Sequence, residues 1–309
     1  MHKNFCHLPL MDPIYKMKSG FVAVLGRTNV GKSTLLNVLV QRKVAITTPK
    51  QQTTRTLIRA ILTTEEAQIV FIDTPGLHKP HFSLGNAMNK KAYHSLREAD
   101  IALLLIDAGR PYNEGDQYLV ETLKFNCPVI IVFNKIDTTN FALMEQLKAK
   151  YQELFPAAQQ IEISATREFN IDLLKKSIVE LLPEGPQYYP ADYITDQSDY
   201  FMISEIIREK TMMFTKEEIP HAIAITIDKV EHFEDGVDIY ASINVDKQSQ
   251  KGIIIGKGGA MIKKIRLAAQ HDIHHNLKIP ARLELYVKVY PGWRNNAQAL
   301  KELGLTEEE

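Results

Sequence analysis

Eight residues near the start of the chain, Gly26 to Ser33, have the spacing of a phosphate-binding loop, Gly-x-x-x-x-Gly-Lys-Ser. Glycines at both ends let the backbone curl so that N–H groups point inward at phosphate oxygens. Lys32 would supply a positive charge to the β- and γ-phosphates, and Ser33 a hydroxyl to Mg²⁺. A bare glycine turn is the alternative. The apolar run Phe21–Leu25 before the loop and the helical pattern after it favour phosphate binding.

A second stretch, Asn134-Lys-Ile-Asp137, indicates which base is bound. The Asp137 carboxylate can accept two hydrogen bonds from the N1–H and the exocyclic amine of guanine. Adenine has no such donor pair and would leave a buried charge unpaired. The stem of Lys135 can cover the base, and Asn134 can tie this loop to the phosphate-binding loop. The tetrapeptide alone is weak, so an ATPase is kept as an alternative.

Two further stretches follow apolar strands in the same chain order, Asp73-Thr-Pro-Gly76 and Ser164-Ala-Thr166. Together the stretches resemble the translation-factor-like branch of small GTPases. The resemblance implies that Asp73 holds Mg²⁺ through water and that the Gly76 N–H touches the γ-phosphate. It also implies that the Ala165 N–H reads the guanine O6.

The same resemblance makes the segment between Gln41 and Thr56 switch I, a loop that responds to the γ-phosphate. Its Mg²⁺-coordinating threonine would be Thr54, with Thr53 as the close alternative. Leu77 stands where many GTPases carry a water-positioning glutamine, and leucine cannot orient water. Intrinsic turnover should therefore be slow and rely on charge neutralisation.

Asn29 lies inside the phosphate-binding loop, at a position where an asparagine coordinates K⁺ in a subset of such GTPases. A plain solvated loop residue is the alternative. The expected catalytic residues are Lys32, Thr54, Gly76 and Asn29. Metal contacts are expected from Ser33, Thr54 and Asp73 for Mg²⁺ and from Asn29 for K⁺. The expected GTP-binding residues are Gly26, Arg27, Thr28, Asn29, Val30, Gly31, Lys32, Ser33, Thr34, Asp73, Thr74, Pro75, Gly76, Asn134, Lys135, Asp137, Ser164, Ala165 and Thr166.

The elements that carry these residues alternate between apolar strands and helical patterns. Strands are predicted at 21–25, 69–73, 101–106, 129–133 and 160–163, and helices near 86–97, 115–125, 141–154 and 170–182. Continuous apolar strands alternating with helices predict an α/β P-loop GTPase domain. Its mostly parallel sheet would have helices on both faces.

The pattern changes at residues 182–190, where three prolines and a glycine indicate a linker. We expect a leader at 1–19, a first domain at 20–182, a linker at 183–192 and a second, α+β domain at 193–309. The leader would be a disordered arm, unless translation begins at Met11 or Met17. In the second domain we expect a helix near 198–212, strands at 222–227, 237–245 and 283–290, and a helix–loop–helix at 249–271.

The helix–loop–helix contains Gly256-Lys-Gly-Gly259, which matches the GXXG loop of a type II KH domain, where single-stranded RNA backbone can approach closely. A hairpin without a ligand is the alternative. From Lys251 to Arg294 the chain has nine basic residues against two acidic ones, a local net charge of +7 within a neutral protein. This charge favours RNA binding. The expected RNA contacts are Ile255, Gly256, Lys257, Gly258, Gly259, Lys263, Lys264 and Arg266.

The combination of domains over residues 20–295 resembles the Era family of ribosome-assembly GTPases, within the TrmE-Era-EngA-like group. The resemblance covers 26–33, Gln52–Arg55, Asp73–His78 and Ile255–Ile265. It implies a second domain that binds the 3′ end of 16S ribosomal RNA, a role in 30S subunit maturation, and domain orientation set by GTP. Peripheral association with the inner membrane is a family trait, although nothing in the sequence encodes an anchor.

The composition fits a cytoplasmic protein with ordinary cores, because 45% of residues are hydrophobic and 24% charged. The two cysteines, Cys6 and Cys127, form no CxxC pair, and no apolar run is long enough for a membrane span. We expect a monomer. The rival to a GTP-hydrolysing switch is an RNA-binding scaffold with a structural, barely active nucleotide site.

Overall fold

The computed structural model describes residues 17–50, 53–77 and 83–305. The first domain is built on a six-stranded sheet of order β2-β3-β1-β4-β5-β6. All neighbours are parallel except β2 and β3, which are antiparallel. Its strands are β1 (Lys18–Gly26), β2 (Ile58–Thr63), β3 (Ala67–Asp73), β4 (Ile101–Asp107), β5 (Val129–Asn134) and β6 (Gln159–Glu162). Its helices are α1 (Lys32–Val40), α2 (Ser83–Glu98), α3 (Glu114–Thr122), α4 (Phe141–Leu154) and α5 (Ile171–Leu181).

Both faces of this sheet are buried, as continuous apolar strands predict. In β1, Val22 and Val24 face a cluster that includes α1 and α5. Ala23 and Leu25 face the opposite cluster, which includes residues of α2, α3 and α4. The predicted α/β class is confirmed. Because parallel strands end at one edge, the sheet brings the ends of β1, β3 and β5 together.

Two features of the first domain differ from the sequence predictions. Strand β1 starts at Lys18, three residues before the predicted start. Lys18, Ser19 and Gly20 are poor strand formers, but pairing with Ala67–Ile69 recruits them into the sheet. Strand β2 was not predicted, because its sequence at 58–63 mixes arginine and threonine with apolar residues and sits at the sheet edge.

The second domain has the order helix, two strands, two helices, strand. Its strands form a sheet of order β7-β8-β9, with β7 antiparallel and β9 parallel to β8. This is the predicted type II KH arrangement, and it is confirmed. The elements are α6 (Asp199–Phe214), β7 (Ile223–Phe233), β8 (Gly236–Val245), α7 (Gln248–Ile255), α8 (Ala260–Leu277), β9 (Ala281–Val289) and a short α9 (Ala297–Glu302). Its core lies between the sheet and α6, α7 and α8.

The segment that joins the domains is bound to the first domain rather than free of it. The Gln68 side chain accepts from the Tyr188 and Tyr189 N–H groups at 2.7 and 2.9 Å, and it donates to the Tyr189 carbonyl at 2.8 Å. Further along, the Ile61 N–H donates to the Ile194 carbonyl at 2.8 Å. The linker thus runs along the β2–β3 edge beyond residue 192. None of the helices in the described ranges has the length and apolarity needed to cross a bilayer.

Candidate functional site

The phosphate-binding loop lies between the end of β1 and the start of α1. Gly31 has a φ of 99°, and a Cβ there would lie 2.4 Å from Asn134 Nδ2. Glycine is therefore required at this point both by the backbone and by the neighbouring loop. Asn29 also has a positive φ, 64°, a conformation that asparagine tolerates better than most residues.

Lys32 is held across the mouth of this loop. Its Nζ donates to the carbonyls of Gly26 at 3.1 Å and Arg27 at 2.8 Å, and the residue is only 6% exposed. Burial lowers the pKa of Lys32 to about 8, although the Asp73 carboxylate opposes this shift. This buried ammonium donates to two neutral carbonyl oxygens. A negatively charged phosphate oxygen beside it would therefore contribute strongly to the free energy of nucleotide binding.

Three side-chain oxygens converge beside Lys32. Ser33 Oγ donates to Asp73 Oδ2 at 2.8 Å, and Thr54 Oγ1 lies 2.8 Å from Ser33 Oγ and 3.2 Å from Asp73 Oδ2. Thr53 Oγ1 instead contacts Thr48 Oγ1 and the Lys50 carbonyl. Of the two candidate threonines, the structure brings Thr54 to the other predicted metal contacts.

Asp73 has the properties of a cation ligand. The residue is completely buried, and its Oδ1 has no hydrogen-bond partner among the described residues. Burial raises the pKa of this carboxyl group, and Lys32 and the two hydroxyl groups only partly offset it. A hard divalent cation such as Mg²⁺ prefers oxygen ligands of this kind and would use the unpaired oxygen.

At the other end of the site, Asn134 connects three loops. Its Nδ2 donates to the Val30 carbonyl at 2.9 Å, so the predicted tie to the phosphate-binding loop is present. Its Oδ1 accepts from the Ala165 N–H at 3.0 Å. The family resemblance implies that this N–H reads the guanine O6. In the structure it donates to Asn134, because the loop after β6 packs against the end of β5.

The two charged residues of the base-recognition stretch are both oriented by neighbours. Ser164 Oγ donates to Asp137 Oδ1 at 2.6 Å, and this bond, more than any other contact, lowers the pKa of Asp137. Lys135 Nζ donates to the Asn29 carbonyl at 2.6 Å and to Asp107 Oδ2 at 2.8 Å. Sequence reasoning missed Asp107, although its place at the end of β4, in register with Asn134, could have indicated it.

Gly76 and Leu77 behave differently although they are adjacent. A Cβ at Gly76 would lie 2.7 Å from Thr28 Cα, so glycine is needed for the two loops to meet. Leu77 is 3% exposed and packs into the core on the α2 face of the sheet. It cannot position a water molecule, in agreement with the prediction.

Seven of the residues expected at the nucleotide line one cavity. The open cavity is lined by Thr28, Asn29, Gly31, Lys32, Ser33, Thr34 and Gly76, together with Thr54 and its neighbours in switch I. Three others turn their side chains elsewhere. Arg27 bonds Asn113 and Asp116, Thr74 Oγ1 donates to the Val24 carbonyl, and Val30 is in the core. These three can contribute only backbone atoms.

In the second domain the predicted RNA loop lies between α7 and α8. Gly258 and Gly259 have φ values of 59° and 78°, and a Cβ at either would meet nothing within 4 Å. The loop is therefore open to an approaching chain. Lys257, Lys263 and Lys264 are exposed beside it, while Arg266 lies against β9, with Nη1 3.4 Å from the Leu283 carbonyl.

Comparisons with known proteins agree with this architecture. Residues 21–135 match the family described as 50S ribosome-binding GTPase, and residues 218–294 match the KH domain family. GTPase Era of Thermoanaerobacter sp. (strain X514) is 48% identical over 290 residues, which are 93% of this chain and 96% of that protein. GTPase Era of Caldanaerobacter subterraneus subsp. tengcongensis is 46% identical over 93% of this chain and 97% of its own length.

Two solved structures share the whole fold. An Era structure in complex with MgGDPNP and nucleotides 1506–1542 of 16S ribosomal RNA superposes with a TM-score of 0.91 at 38% identity, covering 94% of this chain and all of that one. An Aquifex aeolicus Era variant bound to GDP·AlF4⁻ gives 0.90 at 39% identity with the same coverage. With a phosphate-binding loop, a guanine-recognition loop and a KH domain in this order, the chain belongs to the Era family of GTPases, enzymes that hydrolyse GTP.

Proposed function

We propose that this protein is a GTP-hydrolysing switch that binds 16S ribosomal RNA near its 3′ end and assists assembly of the 30S subunit. The observation that carries the proposal is the pairing of a guanine-nucleotide site with an open GXXG loop that lies in a basic stretch of the chain, residues 251–294. The relative solved with nucleotides 1506–1542 of 16S ribosomal RNA supports the choice of RNA. The relatives' shared name, GTPase, favours an active switch over a structural scaffold.

In this proposal each end of the nucleotide has its own contacts. Asp137, oriented by the hydrogen bond from Ser164, accepts from the N1–H and the amine of guanine, and Lys135 covers the base. Lys32 and the N–H groups of the loop bind the β- and γ-phosphates. The RNA phosphates approach the glycines at 256–259 and the exposed lysines beside them.

The metal contacts follow from the same geometry. Ser33, Thr54 and Asp73 would hold Mg²⁺, and the relative solved with MgGDPNP supports this ion. When bound, Mg²⁺ neutralises charge on the phosphates. The other contributions to hydrolysis come from residues of the chain. Lys32 stabilises the charge that develops as the γ-phosphate leaves, and the packed Leu77 provides no water-orienting group, so intrinsic turnover is slow.

A K⁺ ion beside Asn29 is part of the proposal. Asn29 lines the same cavity as Thr47 and Thr48. Neutral oxygen atoms from these residues would suit a weakly hydrated monovalent cation. Hydrolysis should be faster in KCl than in NaCl at the same ionic strength, and the Asn29→Ala variant should lose this difference. Equal rates in the two salts would argue against a cation at this position.

Peripheral association with a membrane and a monomeric state stay predictions that rest on the family resemblance. Co-sedimentation with vesicles containing anionic lipids tests the first, and light scattering of the nucleotide-bound protein tests the second.

The RNA proposal is tested by crosslinking in cells, followed by sequencing of the RNA recovered with the protein. Reads should accumulate at the 3′ end of 16S ribosomal RNA. A variant with Gly258→Asp would place a negative charge on the loop and should lose them. Reads spread over unrelated RNAs in the unmodified protein would refute the assignment.

A further inference from the structure

Switch I is held on both sides of Thr54 by the second domain. Next to Thr54, the guanidinium of Arg55 enters the second domain and donates to the carbonyls of Ile223 at 2.5 Å and Pro220 at 3.3 Å. It also lies 5.9 Å from the ring centroid of Trp293. Arg55 is 2% exposed, so this contact is sealed from water. A buried guanidinium that moved away from these partners would leave its N–H groups without hydrogen bonds, so its position is restricted.

On the other side of Thr54, a residue of α6 holds the backbone. Arg208 donates through Nη2 to the Thr53 carbonyl. Its orientation is fixed by Glu205, whose Oε1 accepts from Arg208 Nε at 2.7 Å. Both residues are buried. A two-point pair between arginine and a carboxylate has defined geometry, so the Thr53 carbonyl is placed with little freedom.

The beginning of switch I is held by the same helix. Glu209 Oε1 accepts from the Thr47 N–H at 2.9 Å, and its Oε2 accepts from Lys43 Nζ at 2.6 Å. Within the first domain, Asn37 adds bonds to the Val44 and Ala45 backbone. In the described parts of switch I, α6 therefore contacts Lys43 and Thr47 before Thr54 and the Thr53 carbonyl next to it.

From these contacts we infer that Arg208 and Arg55 are positioning residues for GTP hydrolysis, which place Thr54 at the metal through contacts between the domains. The inference rests on the proposed role of Thr54 as a metal contact. A triphosphate that draws Thr54 towards its metal then also favours the docked second domain. GDP, which has no γ-phosphate, favours it less. Because linkage is reciprocal, docking of the second domain strengthens GTP binding by the same factor.

The fluorescence of Trp293 reports on the contact between the two domains. It is the single tryptophan of the chain and is fully buried. Its ring centroid lies 5.9 Å from the guanidinium carbon of Arg55, and it shares an apolar cluster with Leu84 and Met88 of α2, the helix that follows Gly76 and Leu77 along the chain. Separation of the domains would expose the indole to water and shift its emission to longer wavelength.

The test is a double variant, Glu205→Gln with Arg208→Met, which removes the contact to Thr53 and takes away both charges of the buried pair together. Single-turnover hydrolysis and the affinity for a non-hydrolysable GTP analogue should each fall about tenfold, within the usual range of coupling between sites. The affinity for GDP should stay unchanged. The difference in Trp293 emission between the GTP-analogue and GDP states should disappear.

The matched control is Arg59→Ala. Arg59 also forms an ion pair outside the first domain, with Asp196 at 3.0 Å, but it is more exposed and does not contact switch I. It should behave like the unmodified protein. If circular dichroism and thermal denaturation show that the double variant has lost its fold, Arg55→Lys is measured instead, because lysine lacks the fork that reaches two carbonyls. The same changes are expected.

An unchanged ratio of GTP-analogue to GDP affinity, with unchanged hydrolysis, would overturn the inference. An equal loss of both affinities in a folded variant would also overturn it, because it would show a general structural role. Thr54→Ala separates this failure from failure of the proposed function. If Thr54→Ala slows hydrolysis and the arginine variants do not, only the positioning role is lost. If Thr54→Ala is also without effect, the proposed metal contact is lost too.

Discussion

Two opposite charges are buried next to each other at the centre of the nucleotide site. Burial lowers the pKa of Lys32 to about 8 and raises the pKa of Asp73, so each group is shifted towards its neutral form. The attraction between Lys32 and Asp73 only partly offsets the free energy that each charge loses when it is removed from water. Phosphate oxygens beside Lys32 and a divalent cation beside Asp73 would restore the missing charge partners. The site is thus built to bind a charged ligand.

The lowered pKa of Lys32 predicts that nucleotide binding takes up a proton above pH 8. In the free protein the ammonium loses its proton as the pH rises through about 8. A bound phosphate favours the charged form and raises this pKa, so GDP affinity should fall between pH 8 and the higher pKa of the complex. Calorimetry in buffers of different ionisation enthalpy should detect close to one proton taken up at pH 9 and almost none at pH 7. The titration of free guanine is subtracted. Equal proton uptake at the two pH values would contradict the role of Lys32 as a phosphate-binding group with a lowered pKa.

Base choice should depend on Asp137. The amide of an Asp137→Asn variant cannot accept from both donors of guanine, but it can donate to the carbonyl that xanthine carries in place of the amine. We expect this variant to reduce GTP affinity at least about a hundredfold and to favour xanthosine nucleotides. Competition with a fluorescent nucleotide measures both. If Asp137→Asn left nucleotide choice unchanged, guanine recognition would have to lie elsewhere, as in the ATPase alternative.

At the scale of elements, the linker is hydrogen-bonded to β2 and β3, and β2 directly follows switch I in the chain. The sequence predicts a linker at residues 182–190 because of their prolines and glycine. The structure attaches residues 188, 189 and 194 to Gln68 and Ile61. The linker therefore contacts both β2 and β3. Strand β2 follows switch I along the chain, and β3 ends at Asp73.

Gln68 should be a main anchor of the linker. It is fully buried and bonds the backbone of Tyr188 and Tyr189 as well as Thr63. Gln68→Ala should lower the free energy of unfolding by about 1–3 kcal/mol, because several polar groups lose their partners. Urea denaturation measures this change. Gln117→Ala, at an exposed site on α3, should have almost no effect. Similar stability of both variants would show that the linker is held by other contacts.

The elements that sequence reasoning predicted are those with strong local signals. The glycine spacing at 26–33, the buried strands and the loop at 256–259 each carry their own pattern. Thr54 could not be separated from Thr53, because adjacent threonines have the same chemistry and only the backbone decides which one faces Ser33. Arg208 and Glu205 were missed for a related reason. On a helix they resemble a surface ion pair, and only the packing of the second domain against switch I buries them.

At the scale of the whole molecule, charge is unevenly distributed although the chain is neutral. Basic residues outnumber acidic ones by nine to two between Lys251 and Arg294, the stretch that contains the loop at 256–259. Some of them are already paired, as Lys288 is with Asp228 and Arg294 with Asp246. The exposed Lys257 and Lys263 beside the loop are better placed to meet RNA phosphates than the paired residues are.

Replacing Lys257 or Lys263 by alanine should weaken RNA binding and reduce its salt dependence. Each lost phosphate contact should lower the slope of log affinity against log salt concentration by about 0.7 for a single strand. Fluorescence anisotropy over a range of KCl concentrations measures the slope. Lys229→Ala, on β7 and paired with Glu231, is the matched control. A slope unchanged by Lys257→Ala and Lys263→Ala would place the RNA on another surface.

The central claim is that the nucleotide site and the RNA site influence each other, and one measurement tests it most directly. A labelled RNA of the 16S 3′ end is titrated with the protein saturated either with a non-hydrolysable GTP analogue and Mg²⁺ or with GDP and Mg²⁺. We predict that the two dissociation constants differ by about 5- to 150-fold, the usual range for coupled sites. Equal dissociation constants in the two states would contradict the account and leave an RNA-binding scaffold with an uncoupled nucleotide site.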